Sequence, residues 1–298
     1  MKSKSSIIFL AFIYFTQPAL SQTRFTISGE LRSRVEGRDN ADFNSERLDG
    51  TLFVLNRVRV GFFREWENGI DVFVQLQDSR LWGEEGSSLT ALGSRAKTKL
   101  LDRLDLEIEG TYQLGNRGPL NVRAFGFAVE SKYTLPSKMR STALAGYTYG
   151  SGDSNSNDAK LETFSNFFPD AHSYLGKMDY VGWSNISAFY FGGAVQPARH
   201  FEIGARAYFF ALADGNDAFY RAEGYRIGSP AEIYRSAVAG VGTDVGREVD
   251  LFAKFLYRDR IDLTFGFSSF FVGKFLENTG GLRADDSFFG YFSVAVNF

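Results

Sequence analysis

Hydrophobic and polar residues alternate closely from residue 56 to residue 77. Val58, Val60 and Phe62 interleave with Arg57, Arg59 and Gly61. After the polar stretch Glu65-Trp66-Glu67-Asn68-Gly69, the residues Ile70, Val72, Val74 and Leu76 interleave with Asp71, Phe73, Gln75 and Gln77. A period of two puts each set on one face of a sheet, so the stretch predicts a β-hairpin with an aliphatic face and a charged, amidic face. In a soluble sandwich the aliphatic face covers a core. In an outer-membrane barrel it meets lipid while the polar face lines a lumen. The hairpin alone leaves both readings open.

The same period recurs along the chain. In residues 25–36, Phe25, Ile27, Gly29, Leu31 and Val35 oppose Thr26, Ser28, Glu30, Arg32, Arg34 and Glu36. Residues 103–114, 122–133, 140–149, 186–196, 201–212, 249–257, 261–271 and 288–298 also read as strands. Residues 82–88 read as loop. Residues 89–101 alternate poorly. They are assigned as a strand because an even strand count, with both termini on one side, requires it. Residues 150–178, 214–246 and 276–286 read as long loops, the first with a mobile beginning (GSGDSNSND) and a packed aromatic end. Long loops thus alternate with short turns. Most of the strands run to roughly 9–13 residues, the length that tilted membrane strands need and well beyond the globular mean of roughly 5–6. The pattern predicts an all-β fold, a transmembrane up-and-down antiparallel β-barrel of about 12 strands.

Composition narrows the setting. The chain has no Cys, which excludes a disulfide scaffold and a thiolate metal site. A net charge of -2 carries no nucleic-acid signature. Lys2 and Lys4, an apolar stretch over residues 7–15, and Ala19-Leu20-Ser21 predict a signal peptide over residues 1–21, leaving 22–298 as the barrel domain. The last strand, FFGYFSVAVNF, ends on Phe298 and resembles the outer-membrane assembly signal. The expected location is the Gram-negative outer membrane. The expected partners are its lipid and lipopolysaccharide, the barrel assembly machinery, and a polysaccharide or small solutes, with no nucleic acid. No cofactor and no metal site is expected.

Three stretches carry a family resemblance. They are ELRSRVEGR (residues 30–38) with NRVRVGFFREWENGIDVFVQLQDSRLWG (56–83), FFPDAHSYLGKMDYVGWSNI (167–186), and GREVDLFAKFLYR (246–258) with FFVGKFLENTGG (270–281). The chain resembles the alginate export family of Gram-negative outer-membrane porins. The second stretch is similar to that family's loop motif, placing Pro169, His172, Tyr174, Leu175, Gly176, Met178 and Asp179 at its positions. Relative to the family this chain is short, and the region after Trp82 resembles a shortened join. The family pattern also favours a basic residue where this chain has Tyr190.

By alternation Arg32, Arg34, Arg57, Arg59 and Arg206 point inward, as do Glu30, Glu36, Asp71, Asp105, Glu107, Glu109, Glu202, Glu248 and Asp250. The resemblance implies that the arginines guide an anionic uronate polymer along a substrate path. An arginine fork stays charged and pairs bidentately with carboxylate. The same residues also suit a structural charge network filling a narrow barrel. Phe73, Tyr190, Tyr208 and Phe210 add inward bulk. The reading is therefore a porin-like channel for export or diffusion of anionic, alginate-like polysaccharide or of small anionic or sugar solutes. One alternative is a closed structural barrel acting through its extracellular loops. Another is a barrel lipid hydrolase using His172 or His200, but neither histidine has a nucleophile elbow or an orienting third group nearby. A non-enzymatic role is expected.

Overall fold

The computed structural model describes residues 25–38, 51–65, 71–82, 88–165, 174–226, 229–235, 242–258, 260–279 and 285–296. The proposed signal peptide, Pro169, His172 and Phe298 lie outside the described residues.

The strands follow in chain order: β1 (Phe25–Arg38), β2 (Thr51–Glu65), β3 (Asp71–Trp82), β4 (Ser88–Leu101), β5 (Leu104–Arg117), β6 (Leu120–Thr134), β7 (Thr142–Gly150), β8 (Lys160–Leu161), β9 (Ile186–Ala198), β10 (Phe201–Leu212), β11 (Ala218–Arg226), β12 (Ser229–Arg235), β13 (Asp244–Tyr257), β14 (Ile261–Val272) and β15 (Ser287–Val296). One short helix, α1 (Lys274–Thr279), precedes β15. The main sheet runs β1-β2-β3-β4-β5-β6-β7-β9-β10-β13-β14-β15, with every neighbour antiparallel. This is the expected meander, and residues 89–101 are indeed a strand. The path ends at β1 and β15, which are not paired with each other. The expected closure is therefore not made among the described residues.

Three connections carry more structure than their composition suggested. Residues 214–246 hold a separate hairpin, β11–β12. Residues 276–286 begin inside α1. The first half of 150–178, expected to be mobile, is fastened instead. Ser151 and Asp153 are buried, the Ser151 hydroxyl donates to the Glu162 carbonyl at 2.6 Å, and β8 lies parallel to β6. Asp217 gathers this loop and the next. It accepts from the Asp153 amide at 2.8 Å, the Thr163 hydroxyl at 2.6 Å and the Tyr220 hydroxyl at 2.8 Å.

The alternation sorts the sheet's two faces. One face is apolar and exposed, with Val58, Leu76, Phe125, Phe191, Leu251, Phe267, Phe292 and Val294 among its residues. Its rings pair across strands, Phe127 on Tyr149 at 5.6 Å and Phe265 on Phe292 at 4.6 Å. Such cross-strand aromatic contacts stabilise a sheet and present a continuous apolar belt. The opposite, inner face carries the polar side chains and receives the loop segments 151–165 and 174–185. Its core joins Leu175, Met178 and Val181 from the loop to Ala128, Ala188, Tyr190, Tyr208, Phe210 and Phe270 from the strands. Tyr190, Tyr208 and Phe210 are thus inward bulk, as the alternation indicated.

Candidate functional site

The inner face divides into a polar wall and a filled half. The wall is built by β1 to β5, where period two sets charged residues on one side of each strand. Glu30 of β1 stands opposite Arg59 of β2, and Arg32 opposite Arg57. Arg57 donates to Glu30. Arg59 lies 3.7 Å from the same carboxylate, and its Nε donates to the Gln77 amide oxygen at 2.6 Å. The structure therefore brings Arg57 and Arg59 together around one acid. Arg32 and Arg34 lie beside them on β1. Arg206 does not join this group, since it stands far along the path on β10.

The next pair of strands extends the wall. In register, Arg95 faces Glu109, Lys97 faces Glu107 and Lys99 faces Asp105. Arg95 pairs with Glu107 and lies 3.7 Å from Glu109. Lys97 reaches the other Glu107 oxygen at 2.8 Å. Opposite charges directly across a strand pair are stabilising. A cavity of about 570 Å³ opens beside them, lined by Phe63, Phe73, Lys97, Lys99, Glu130 and Lys132 among others. Sequence reasoning missed Arg95, Lys97 and Lys99. The available signal was their spacing at every second position of a stretch whose apolar pattern is poor.

The loop motif fills the other half. The Tyr174 hydroxyl crosses to Glu107 on the polar wall and donates at 2.9 Å. Burial, together with the nearby Glu109 and Glu107 carboxylates, pushes the Tyr174 phenol well above its ordinary range, which keeps it a donor. Leu175 is buried in the core, and Gly176 turns the chain with φ +90. The amides of Lys177 and Met178 then donate to one oxygen of Glu248 at 2.6 and 3.1 Å. A side chain at Gly176 would begin 2.4 Å from that carboxylate, so glycine is needed for close approach as well as for φ. Asp179 also sits at positive φ.

The earlier loop segment docks beside it. The Gln113 side-chain amide donates to the Ser165 carbonyl, and the Ser165 amide returns a bond to the Gln113 oxygen at 2.9 Å. The Phe164 ring lies over Gly126, where an added Cβ would meet it at 3.1 Å. His200 occupies the β9–β10 turn, where its carbonyl accepts from the Leu256 amide at 2.9 Å. Together these contacts make an inner face that is charged along one half and packed with the chain's own loop along the other.

The sequence model of a family described as Alginate export matches residues 81–289, which is more than half of the chain. No curated protein matches it.

Proposed function

Because this chain belongs to the alginate export family, a family of outer-membrane polysaccharide transport, we propose that it closes into a barrel and passes an anionic polysaccharide along its polar wall. Closure joins β1 to β15. A strand edge within lipid leaves backbone donors and acceptors unsatisfied at several kcal/mol each, so a spanning sheet has to close. The exposed apolar face is then the lipid contact. Residues 1–21 direct secretion, and the assembly machinery reads the last strand.

The charge balance of the polar wall carries this reading. Among the described side chains on the inner face of β1 to β6, Arg32, Arg34, Arg57, Arg59, Arg95, Lys97, Lys99, Arg117 and Lys132 outnumber Glu30, Glu65, Asp105, Glu107, Glu109 and Glu130. Fixed charges on a low-dielectric wall focus their field into the cleft, so a modest cationic excess sets ion preference. A uronate polymer carries carboxylates that an arginine can exchange for its present partner. Arg57 and Arg59 share the Glu30 carboxylate, the partner with which a passing carboxylate would compete. Arg206, on the filled half, borders the path rather than lining it.

Planar-bilayer recordings of the refolded protein test the proposal. The wild type is expected to conduct with a reversal potential favouring anions, and an Arg57→Gln, Arg59→Gln double variant to shift toward cations. Identical potentials in the two proteins would remove the pair from the path. A second reading has its own support in the loop core around Leu175, Met178 and Val181, which suits a closed barrel acting through its loops. A folded protein with no conductance would favour that reading.

A further inference from the structure

The cavity of about 570 Å³ beside the Lys97–Glu107 pair lies at the end of the inner face bounded by the β2–β3, β4–β5 and β6–β7 turns. The register builds it in two rows. In the first, Phe63 faces Phe73, Phe73 faces Lys97, and Glu107 faces Glu130. In the second, nearer the turns, Asp105 of β5 stands between Lys99 of β4 and Lys132 of β6. Lys97 and Glu107 are already committed. Lys97 reaches one Glu107 oxygen at 2.8 Å, and Arg95 and the Tyr174 hydroxyl take the other. Glu130 uses one oxygen to accept from the Tyr190 hydroxyl at 3.1 Å. The side chains of Lys99, Asp105 and Lys132 make no ion pair or hydrogen bond among the described residues.

We propose that this cavity binds a pyranose ring of the polysaccharide through its hydroxyls and one apolar ring face, and reads no carboxylate. The inference rests on the polysaccharide reading above. Lys97, Lys99 and Lys132 balance Asp105, Glu107 and Glu130 around the cavity, so unlike the arginine wall it has no net attraction for an anion. A carboxylate placed between Lys99 and Lys132 would meet Asp105. The same three groups suit hydroxyls. An ammonium only donates and a carboxylate only accepts, whereas a hydroxyl does both. Lys99 and Lys132 are two strands apart, about 10 Å between backbones, which leaves room for one ring between them. The phenylalanines supply the apolar side, since a pyranose presents C–H groups on its faces and an aromatic ring covers them. Phe73 is held against Gly61, where an added Cβ would meet its ring at 3.0 Å.

The position suits an entrance. Short turns face the periplasm in the proposed topology, so a polymer arriving from that side meets this cavity before the arginines. Phe63 lies four residues beyond Arg59 on β2, about 13 Å nearer the turn. A sugar ring held here leaves the units ahead of it alongside Arg59 and Arg57. Selection is then divided, with the cavity recognising a pyranose and the arginines recognising charge. Neutral units within a chain pass the first of these as readily as acidic ones.

Saturation-transfer difference NMR tests this on full-length protein refolded in micelles of a sugar-free detergent. The probes are β-1,4-mannohexaose and the β-1,4-mannuronate hexamer, which differ in their carboxylates. Mannohexaose is expected to bind saturably, with the strongest transfer to C–H protons on a ring face. Phe73→Ala should abolish that facial transfer. Asp105→Ala and Lys132→Ala should each weaken binding by at least about tenfold, the loss of a bond to a charged group. Both side chains are exposed, so both variants should keep the heat-modifiable gel migration of a folded barrel. Absence of saturable mannohexaose binding to the folded wild type overturns the proposal, even if the mannuronate hexamer binds. Facial transfer retained in a folded Phe73→Ala protein overturns it too. If Phe73→Ala does not fold, unchanged affinity in both Asp105→Ala and Lys132→Ala overturns it equally. The readout does not depend on conductance, so a barrel that transports nothing would still bind mannohexaose here, and a conducting barrel that ignores it would keep the transport reading and lose the cavity.

Discussion

Replacing Gly176 with Ala should release the loop motif from the inner face of the sheet. Gly176 has φ +90, a conformation that costs a non-glycine residue about 1–3 kcal/mol. The new methyl carbon would lie 2.4, 2.5 and 2.7 Å from the three terminal atoms of the Glu248 carboxyl group. That group cannot simply swing away, because it is held by the Lys177 and Met178 amides at 2.6 and 3.1 Å. Either the carboxyl group or the loop must move, and both bonds weaken. At a net value of about 1 kcal/mol each, their loss adds about 2 kcal/mol. The docked state is then weakened by roughly 3–5 kcal/mol, a shift of roughly 10²–10⁴-fold in the ratio of docked to undocked loop. Amide hydrogen exchange over residues 174–183 reads this directly in the refolded protein. Exchange should accelerate there, while the β4–β5 and β13–β14 ladders stay protected. Single-channel current should rise in parallel if the loop occupies the path. Unchanged protection of residues 174–183 in a folded Gly176→Ala protein would refute the reasoning, because nothing then holds the loop by that contact.

Two further outcomes follow from the belt and from the outer loops. Leu251, 49% exposed on the apolar face of β13, should cost about 2–4 kcal/mol when changed to Arg if it lies near the bilayer midplane. Urea unfolding from lipid vesicles measures this, and unchanged stability would exclude lipid contact there. Burial raises the Asp153 carboxyl group above its ordinary range. The Asn155 amide partly opposes this, and Asp217, Asp158 and Glu162 add to it. A raised carboxyl binds more protons folded than unfolded, so the loop at residues 151–165 should become more stable as pH falls from its raised value to the ordinary one. Exchange protection, corrected for the intrinsic pH dependence, should rise over that window, and Asp153→Asn should abolish the rise.

Much of the architecture was legible because one side of most strands is apolar through its middle. Val58, Val60 and Phe62, or Phe292, Val294 and Val296, announce the belt by alternation alone. β4 was harder to read, for a physical reason. Its inward positions begin apolar, with Leu89 and Ala91 packed against Phe164 and neighbouring residues, and end charged, with Arg95, Lys97 and Lys99. A strand whose inner face changes character midway has no single period-two signature. The hairpin β11–β12 and the helix α1 escaped because they lie in loops, where composition announces turns rather than pairing. The arginine pair on β2 was visible, but its acid partner was one of several choices, and the register selected Glu30. The loop's destination was invisible. Nothing local to Tyr174 or Gly176 names Glu107 or Glu248, which lie 67 and 71 residues away in sequence for Tyr174 and Lys177 respectively.

The docking of Phe164 over Gly126 has a bearing on how such barrels diverge. The wall keeps a recess at the spot where the loop brings its ring, and Gln113 and Glu248 wait at two others. Loop and wall therefore work as a key and its lock, cut by separate parts of the gene. A loop transplanted from a relative would meet a recess shaped for another ring, and a bulkier residue at position 126 would evict the native one. Exchange of loops among such barrels should succeed when the receiving strand residues travel with them, and fail when the loop is moved alone.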